Sequence, residues 1–218
     1  MKINKKAIVI GGSKGIGKSI STELKKILSS VLECSSKDVD TSNLSKVKKF
    51  IKKNKSVDIL ILNTGGPPAK DFYKIEEVEW YKYFNQIFLS FALMLQQFKI
   101  KKYGYVFLIS SSIVKEPASG LDISSSLRSG FVTLMKSVSR HPSNKNICFI
   151  NIAPGPFKTT RLKKLVKNIR DYEKKLPSGK IGDPAEIGKF IKFIVENKIK
   201  YINGSTIYFD GNINNSII

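Results

Sequence analysis

The strongest restriction on this chain is a rhythm of short, nearly unbroken apolar runs. They are "AIVI" (7–10), "VLEC" (31–34), "VDILILN" (57–63), "YVFLIS" (105–110), "ICFINIA" (147–153) and "STIYFD" (205–210). A strand that is apolar at almost every position has no face to offer water, so both faces must be covered. Between the runs lie stretches with helical spacing, among them "KSISTELKKILSS", "LSKVKKFIKKN", a long pattern from about Glu77 to Lys101, "GFVTLMKSVS" and "DPAEIGKFIKFIVEN". Strand and helix alternating in this way predict an α/β architecture, a doubly wound parallel sheet with helices on both faces. With no internal repeat and no low-complexity linker, one domain over residues 1–218 is expected.

The first strand runs into "GGSKGIGKSI", which orders strand, turn and helix as a phosphate cradle requires. Gly11 permits a tight turn, Gly15 lets the backbone approach a pyrophosphate, and Gly17 lets the helix pack closely on the strand. Ser13, Lys14 and Ile16 complete the turn, whose free N–H groups would face the phosphates. The second strand ends in Ser35, Ser36 and Lys37, which together with Lys14 suit a 2′-phosphate. Glu33, the nearest acid, stands two positions early and is expected to face elsewhere. NADP(H) is therefore favoured over NAD(H).

Charge and composition exclude more than they assign. The net charge of +21 rests on 38 basic residues, of which only Arg128, Arg140, Arg161 and Arg170 are arginines. Such a field attracts phosphate, but no zinc finger, RNA-recognition signature or basic arm accompanies it, so nucleic-acid binding is the third and weakest reading. Cys34 and Cys148 lie inside apolar runs, where cysteine is a small buried hydrophobe. With His141 alone and no Cys/His cluster, no metal site is expected. No apolar run reaches 18 residues, and a soluble, cytoplasmic chain without membrane association is expected.

Further motifs follow in order. "LILNTGG" retains Asn63 and Gly65, "WYKYFNQIFLS" carries Asn85, "YVFLISSS" ends in serines, and "NIAPGPFKTT" holds Pro154, Gly155 and Thr159. With the spacing Gly-x-x-x-Gly-x-Gly and the closing "GDPAEIGKFIKFIVE" and "YINGSTIYFDG", the chain resembles the short-chain dehydrogenase/reductase family over nearly its whole length. "NTGGPP" and "SSSIVKEP" make it similar to a divergent ketoacyl-carrier-protein-reductase-like branch. The resemblance implies a Rossmann-like sheet, with Asp38 approaching the adenine and the Pro154–Gly155 loop and Thr159 lying over the nicotinamide. Here "VLECSSK" runs directly into "DVDTS", so the family's third strand and its helix are missing and about six strands are expected.

The resemblance also implies an Asn–Ser–Tyr–Lys set that reduces carbonyls. Asn85 takes the first role by position. The family places its tyrosine thirteen residues after the serine, which selects Ser111 and puts Ser124 at the tyrosine and Arg128 at the lysine. The spacing of four survives on one helical face, but an aliphatic hydroxyl is far less acidic than a phenol. Arg128 could still hold the cofactor's ribose in a fixed fork. Lys115 and Lys158 are candidates to supply the proton.

Two main readings follow. One is an NADPH-dependent reductase of a small carbonyl or acyl-carrier substrate, with Asn85, Ser111, Ser124 and Arg128 as a non-standard site. The other is an NADP(H)-binding sensor or partner-binding module without turnover. Residues 156–182 occupy the family's substrate-loop position, and their basic residues suit an anionic or carrier-linked substrate. Trp80, Tyr81, Phe84, Phe88 and Phe91 cover more than one face of their helix, and a homodimer or homotetramer packing through it is expected.

Overall fold

Period-two alternation along each strand divides the core into two layers. The molecule is described from a computed structural model, over residues 1–217. Its strands are β1 (Ile3–Val9), β2 (Leu28–Glu33), β3 (Ser56–Leu62), β4 (Lys99–Ile109), β5 (Cys148–Pro154) and β6 (Ser205–Phe209). They form one six-stranded sheet in the order β2-β1-β3-β4-β5-β6, every neighbouring pair parallel. Ala7, Val9, Ile59, Ile61, Phe107 and Ile150 point to one face, where helices α1 (Gly15–Ile27) and α8 (Pro184–Glu196) cover them. Ile8, Ile10, Leu60, Leu62, Val106 and Phe149 point to the other. There α2 (Leu44–Asn54), α4 (Ser90–Gln97) and α5 (Asp122–Ser139) bring Val47, Phe91, Met94, Phe131 and Met135. Each such side chain, once fully buried, contributes about 1.5–3 kcal/mol, and this two-sided burial holds the parallel sheet together.

The expected trimming is present. β2 passes through the turn at residues 34–43 directly into α2, and β2 is left as the edge of the sheet. Cys34 and Cys148 are both buried free thiols, and burial pushes them up to about 12 and about 11 respectively. Among the described residues no helix is long and apolar enough to cross a membrane.

Two elements differ from expectation. The helix expected from Glu77 to Lys101 is α3 (Glu77–Tyr83), a π segment at Phe84–Leu89 and then α4, and it ends at Gln97. The reason is strand pairing: Lys99 and Ile100 take up register with Ser56 and Val57 of β3, extending β4 backward. The basic helix after β5 is likewise two short ones, α6 (Thr160–Leu165) and α7 (Ile169–Glu173). Residues 156–182 leave and rejoin the body at one point. Phe157 and Gly182 form a parallel bridge, flanked by the hydrogen bonds Lys158 N–H to Gly182 O (2.9 Å) and Gly182 N–H to Pro156 O (2.9 Å).

Candidate active site

Parallel strands all end on one side, and the loops that follow β1, β3, β4 and β5 gather there around a cleft of about 520 Å³. Doubly wound sheets bind ligands at this edge because the strand order reverses there and opens a crevice. The floor of the cleft is the glycine turn. Gly11 and Gly15 adopt φ +63° and +52°, in the left-handed region where glycine is favoured. Gly17 answers a different need, close approach: a Cβ there would stand 2.1 Å from the Gly11 carbonyl and 2.7 Å from Asn63 Nδ2. Asn63 at the end of β3 secures the turn by donating to Gly11 O at 3.0 Å. Helix α1 starts without a side-chain cap and without an acidic residue in its first turn. Its leading N–H groups, beside the lining residues Lys14, Gly15 and Ile16, are thus left for an anion.

The wall is built by β4 and α5. Ser110 Oγ is committed to Ile152 O (3.3 Å), and Ser112 is buried off the lining, while Ser111 borders the cleft. Ser124 and Arg128 lie one turn apart on α5, both buried and both on the lining. Arg128 Nε donates to Ser124 Oγ at 3.2 Å, Nη1 to Ile109 O at 3.4 Å and Nη2 to Thr64 O at 3.2 Å. Because Ser124 accepts from the guanidinium, its own O–H is free to donate into the cleft. Burial first, and Arg161 second, bring the Arg128 guanidinium down to about 10. That remains well above neutrality, so the cation is retained.

The roof comes from the loop after β5. Pro154, Gly155 and Thr159 border the cleft, as do Arg161 and Leu165 of α6. Thr159 caps α6 by accepting from Leu162 N–H (3.2 Å), and its methyl lies 3.1 Å from where a Cβ of Gly15 would sit, so roof and floor nearly touch. Arg161 Nη1 donates to Gly66 O at 2.9 Å and Nη2 to Pro67 O.

The fold brings most, but not all, of the expected residues together. Gly11, Lys14, Gly15, Ile16, Asn63, Gly65, Ser111, Ser124, Arg128, Pro154, Gly155 and Thr159 all line the cleft. Gly17 lies beneath it as a packing position, and Ser13 and Ser36 are exposed beside it. Three expectations need correction. Asn85 is off the lining. It stands in the π segment next to Gln86, whose Nε2 donates to Gly65 O (2.9 Å) and Thr64 Oγ1 (3.3 Å). Ser35 does not hold its donors free, since both its N–H (2.8 Å) and its O–H (2.7 Å) go to Asp38 Oδ2. These bonds keep the Asp38 carboxyl below its ordinary range and turn that oxygen into the Ser35 turn rather than outward. Lys115 and Lys158 are not on the lining either. Lys115 lies over the Tyr208 ring and donates to Ser216 O.

Glu33 faces α1, as its early position implied. Its carboxylate accepts from Lys18 (2.9 Å) and Lys25 (2.8 Å). Burial opposes its ionisation, yet the two lysines hold it below the usual carboxylate range. The residues missed at the sequence level are Thr64, Gln86 and Arg161. One signal for Arg161 was available: arginine is scarce among so many lysines, and two of the four arginines meet here.

Known proteins share this fold and much of its sequence pattern. The family model described as enoyl-(acyl carrier protein) reductase matches residues 11–214. The 3-oxoacyl-(acyl-carrier-protein) reductase FabG of Buchnera aphidicola subsp. Schizaphis graminum is 29% identical, covering 97% of this chain and 98% of its own. That alignment runs over 242 positions against the 218 residues here, so the relative carries segments this chain lacks. FabG of Chlamydia muridarum is 25% identical, covering 96% and 97%. Among solved structures, a short-chain dehydrogenase/reductase from Brucella melitensis superposes with TM-score 0.86 at 18% identity, covering 99% of this chain and 100% of its own. A small-chain dehydrogenase in complex with NADPH superposes with TM-score 0.82 at 21% identity, covering 97% and 99%.

Proposed function

Because the chain belongs to the short-chain dehydrogenase/reductase family of oxidoreductases, in its ketoacyl-carrier-protein-reductase-like branch, we propose that it reduces a carbonyl group at the expense of NADPH. A 3-oxoacyl group is the first candidate, since FabG relatives are named for that reaction. The observation that carries the reading is the uncapped start of α1 over a glycine turn, continuous with a cleft that ends at Ser111, Ser124 and Arg128. The residues present fit a dinucleotide. The leading N–H groups of α1 would hold the pyrophosphate, and Pro154, Gly155 and Thr159 would cover the nicotinamide. Lys14, Ser36 and Lys37 would meet a 2′-phosphate, against the one carboxylate of Asp38.

The bound cofactor supplies a hydride to the carbonyl carbon. Ser111 and Ser124 offer hydroxyl protons to the carbonyl oxygen, and Arg128, fixed by two strand-end carbonyls and by Ser124, sets a permanent positive charge beside the oxygen as it becomes negative. Neither serine is an acid of phenol strength, so the proton that completes the alcohol comes from water, relayed by Ser124. Residues 156–182, clasped at Phe157 and Gly182, act as the lid that excludes bulk water from this step.

Titration of the purified protein with both dinucleotides tests the reading. NADPH is expected to bind roughly tenfold more tightly than NADH, a difference of about 1.4 kcal/mol. NADPH should then be consumed with at least one member of a panel of aldehydes, ketones and 3-oxoacyl thioesters. Binding without any turnover would return the chain to the role of a dinucleotide-dependent sensor, which the serine at position 124 favours. Absence of binding to either dinucleotide would remove both roles.

The assembly follows from the same helix that carries the π segment. Tyr81 and Phe84 remain exposed, at 63% and 39%, while Phe88 stacks on Phe84 and meets Phe131 of α5 edge-on. Pairing of two copies through α3, the π segment and α5 would bury these rings. Sedimentation at micromolar concentration is expected to give a dimer or tetramer, and Phe84→Glu to shift it to monomer. A wild-type monomer would contradict this.

A further inference from the structure

Beside Gly66 the cleft wall gathers hydrogen-bond donors that lack acceptors among the described residues. A Cβ placed on Gly66 would lie 3.4 Å from Arg128 Nη2, 3.4 Å from Ser124 Oγ and 3.5 Å from Arg161 Nη2. Two elements, helix α5 and the roof helix α6, therefore aim donors at one point on the loop after β3. The donors are not exhausted by the protein. A guanidinium carries five N–H groups, and Arg128 gives three of them and Arg161 two to the partners already described. Among the described residues no carboxylate lies within ion-pairing distance of either guanidinium, while seven pairs elsewhere engage only lysines. Arg128 is only 7% exposed, so water does little to compensate it. A buried guanidinium with a second, half-buried one beside it is costly unless an anion joins them.

We propose that Arg128, Arg161 and Ser124 form a carboxylate-binding site over Gly66, and that the substrate is an oxo acid which brings its own carboxylate to the nicotinamide end of the cleft. This assignment rests on the reductase reading and changes its substrate from a carrier-linked 3-oxoacyl thioester to a free oxo acid. A neutral carbonyl oxygen needs hydrogen bonds only and cancels neither charge. A carboxylate cancels one full charge and matches the planar fork of a guanidinium with two parallel hydrogen bonds. On the lining of the same cleft, Ile113, Leu121 and Leu165 offer apolar surface for the rest of a short carbon chain. Arg161 belongs to the segment clasped at Phe157 and Gly182, so an acid bound here also ties the roof to α5.

Calorimetric titration of 2-oxo and 3-oxo acids of three to eight carbons, each beside its methyl ester, tests the site. The acid is expected to bind roughly tenfold or more tightly than its ester. Arg161→Gln should lower the affinity for the acid by about tenfold and leave the affinity for the ester unchanged. Gly66→Ala adds a methyl at ordinary contact distance from all three donors, so it shields them from a ligand without straining the fold and should weaken the preference for the acid. Neither variant should change NADPH affinity by more than about twofold, a few tenths of a kcal/mol. The assignment is overturned if no acid in the series outbinds its ester, or if both variants keep the wild-type preference. Normal NADPH binding in that case leaves the reductase reading standing. Loss of NADPH binding alone, with acids still preferred, removes the reductase reading instead. A fall in turnover with equal binding of acid and ester would confine Ser124 and Arg128 to the reacting carbonyl oxygen, with no carboxylate held beside it, and would also overturn the carboxylate assignment.

Discussion

Gly17→Ala is expected to destabilise the protein by about 3 kcal/mol and to weaken dinucleotide binding roughly a hundredfold. The methyl group would stand 2.1 Å from Gly11 O and 2.7 Å from Asn63 Nδ2, closer than real contacts allow, and both atoms belong to the hydrogen bond that shapes the turn. To make room, α1 must move off β1 or the turn must widen. The first loses packing of Ile20 and Leu24 against the sheet, and the second scatters the N–H groups meant for the pyrophosphate. For a chain of this size, about 3 kcal/mol lowers the melting temperature by roughly 6–12 °C. Thermal unfolding and NADPH titration of the same sample read both effects. Gly65→Ala is the internal control for the fold, because a Cβ there meets nothing within 4 Å and should leave melting unchanged. Wild-type melting and affinity in Gly17→Ala would mean that the Asn63–Gly11 tie does not define the cradle.

Arg128→Met should separate stability from activity. The substitution removes three hydrogen bonds, to Ser124, Ile109 and Thr64. Each hydrogen bond from a charged group is worth about 1.5–3 kcal/mol, but removing an unpaired buried cation also relieves a desolvation cost of several kcal/mol. The two contributions nearly cancel, and melting should shift by only a few degrees. Catalysis has no such compensation. Without the charge beside the developing oxyanion, turnover of NADPH should fall by roughly two to three powers of ten, or about 3–4 kcal/mol of barrier. Arg128→Lys keeps the charge but not the fork, and should recover part of the loss. Steady-state rates on the best carbonyl of the panel decide the matter. An Arg128→Met enzyme with wild-type turnover would remove Arg128 from the reaction.

The expected and observed molecules agree where the relevant interactions are local or periodic. Apolar residues at every strand position required a sheet covered on both faces, and Ile8 against Val9 or Leu60 against Ile61 do point to opposite layers. The direct passage from "VLECSSK" to "DVDTS" foretold the missing strand, because too few residues stand between them to build one. Motif spacing also located the turn at residues 11–17 and the pair Ser124 and Arg128, since their geometry is that of a single turn or a single helix.

The remaining features depended either on groups far apart in sequence or on local geometry that apolar spacing does not record. Asn85 looked suitable by position, but it stands in a π segment off the lining, and Gln86 next to it takes the place at Gly65. Ser35 looked like a free donor until Asp38, three residues on, accepted both of its protons. Lys115 sits on a loop next to the cleft, yet Ser216 and the Tyr208 ring hold it outside. Arg161 reaches Arg128 only because the segment after β5 folds back over the loop after β3.

Strand count, layer and glycine turn could thus be read from residue order, because repeated hydrophobic spacing and backbone sterics act over a few neighbours. Which cations share a cleft, and which donors remain unused in it, is set by contacts between distant segments. Hydrogen-bond partners and charge neighbours exist only once those segments have packed, and no periodicity in the chain records them.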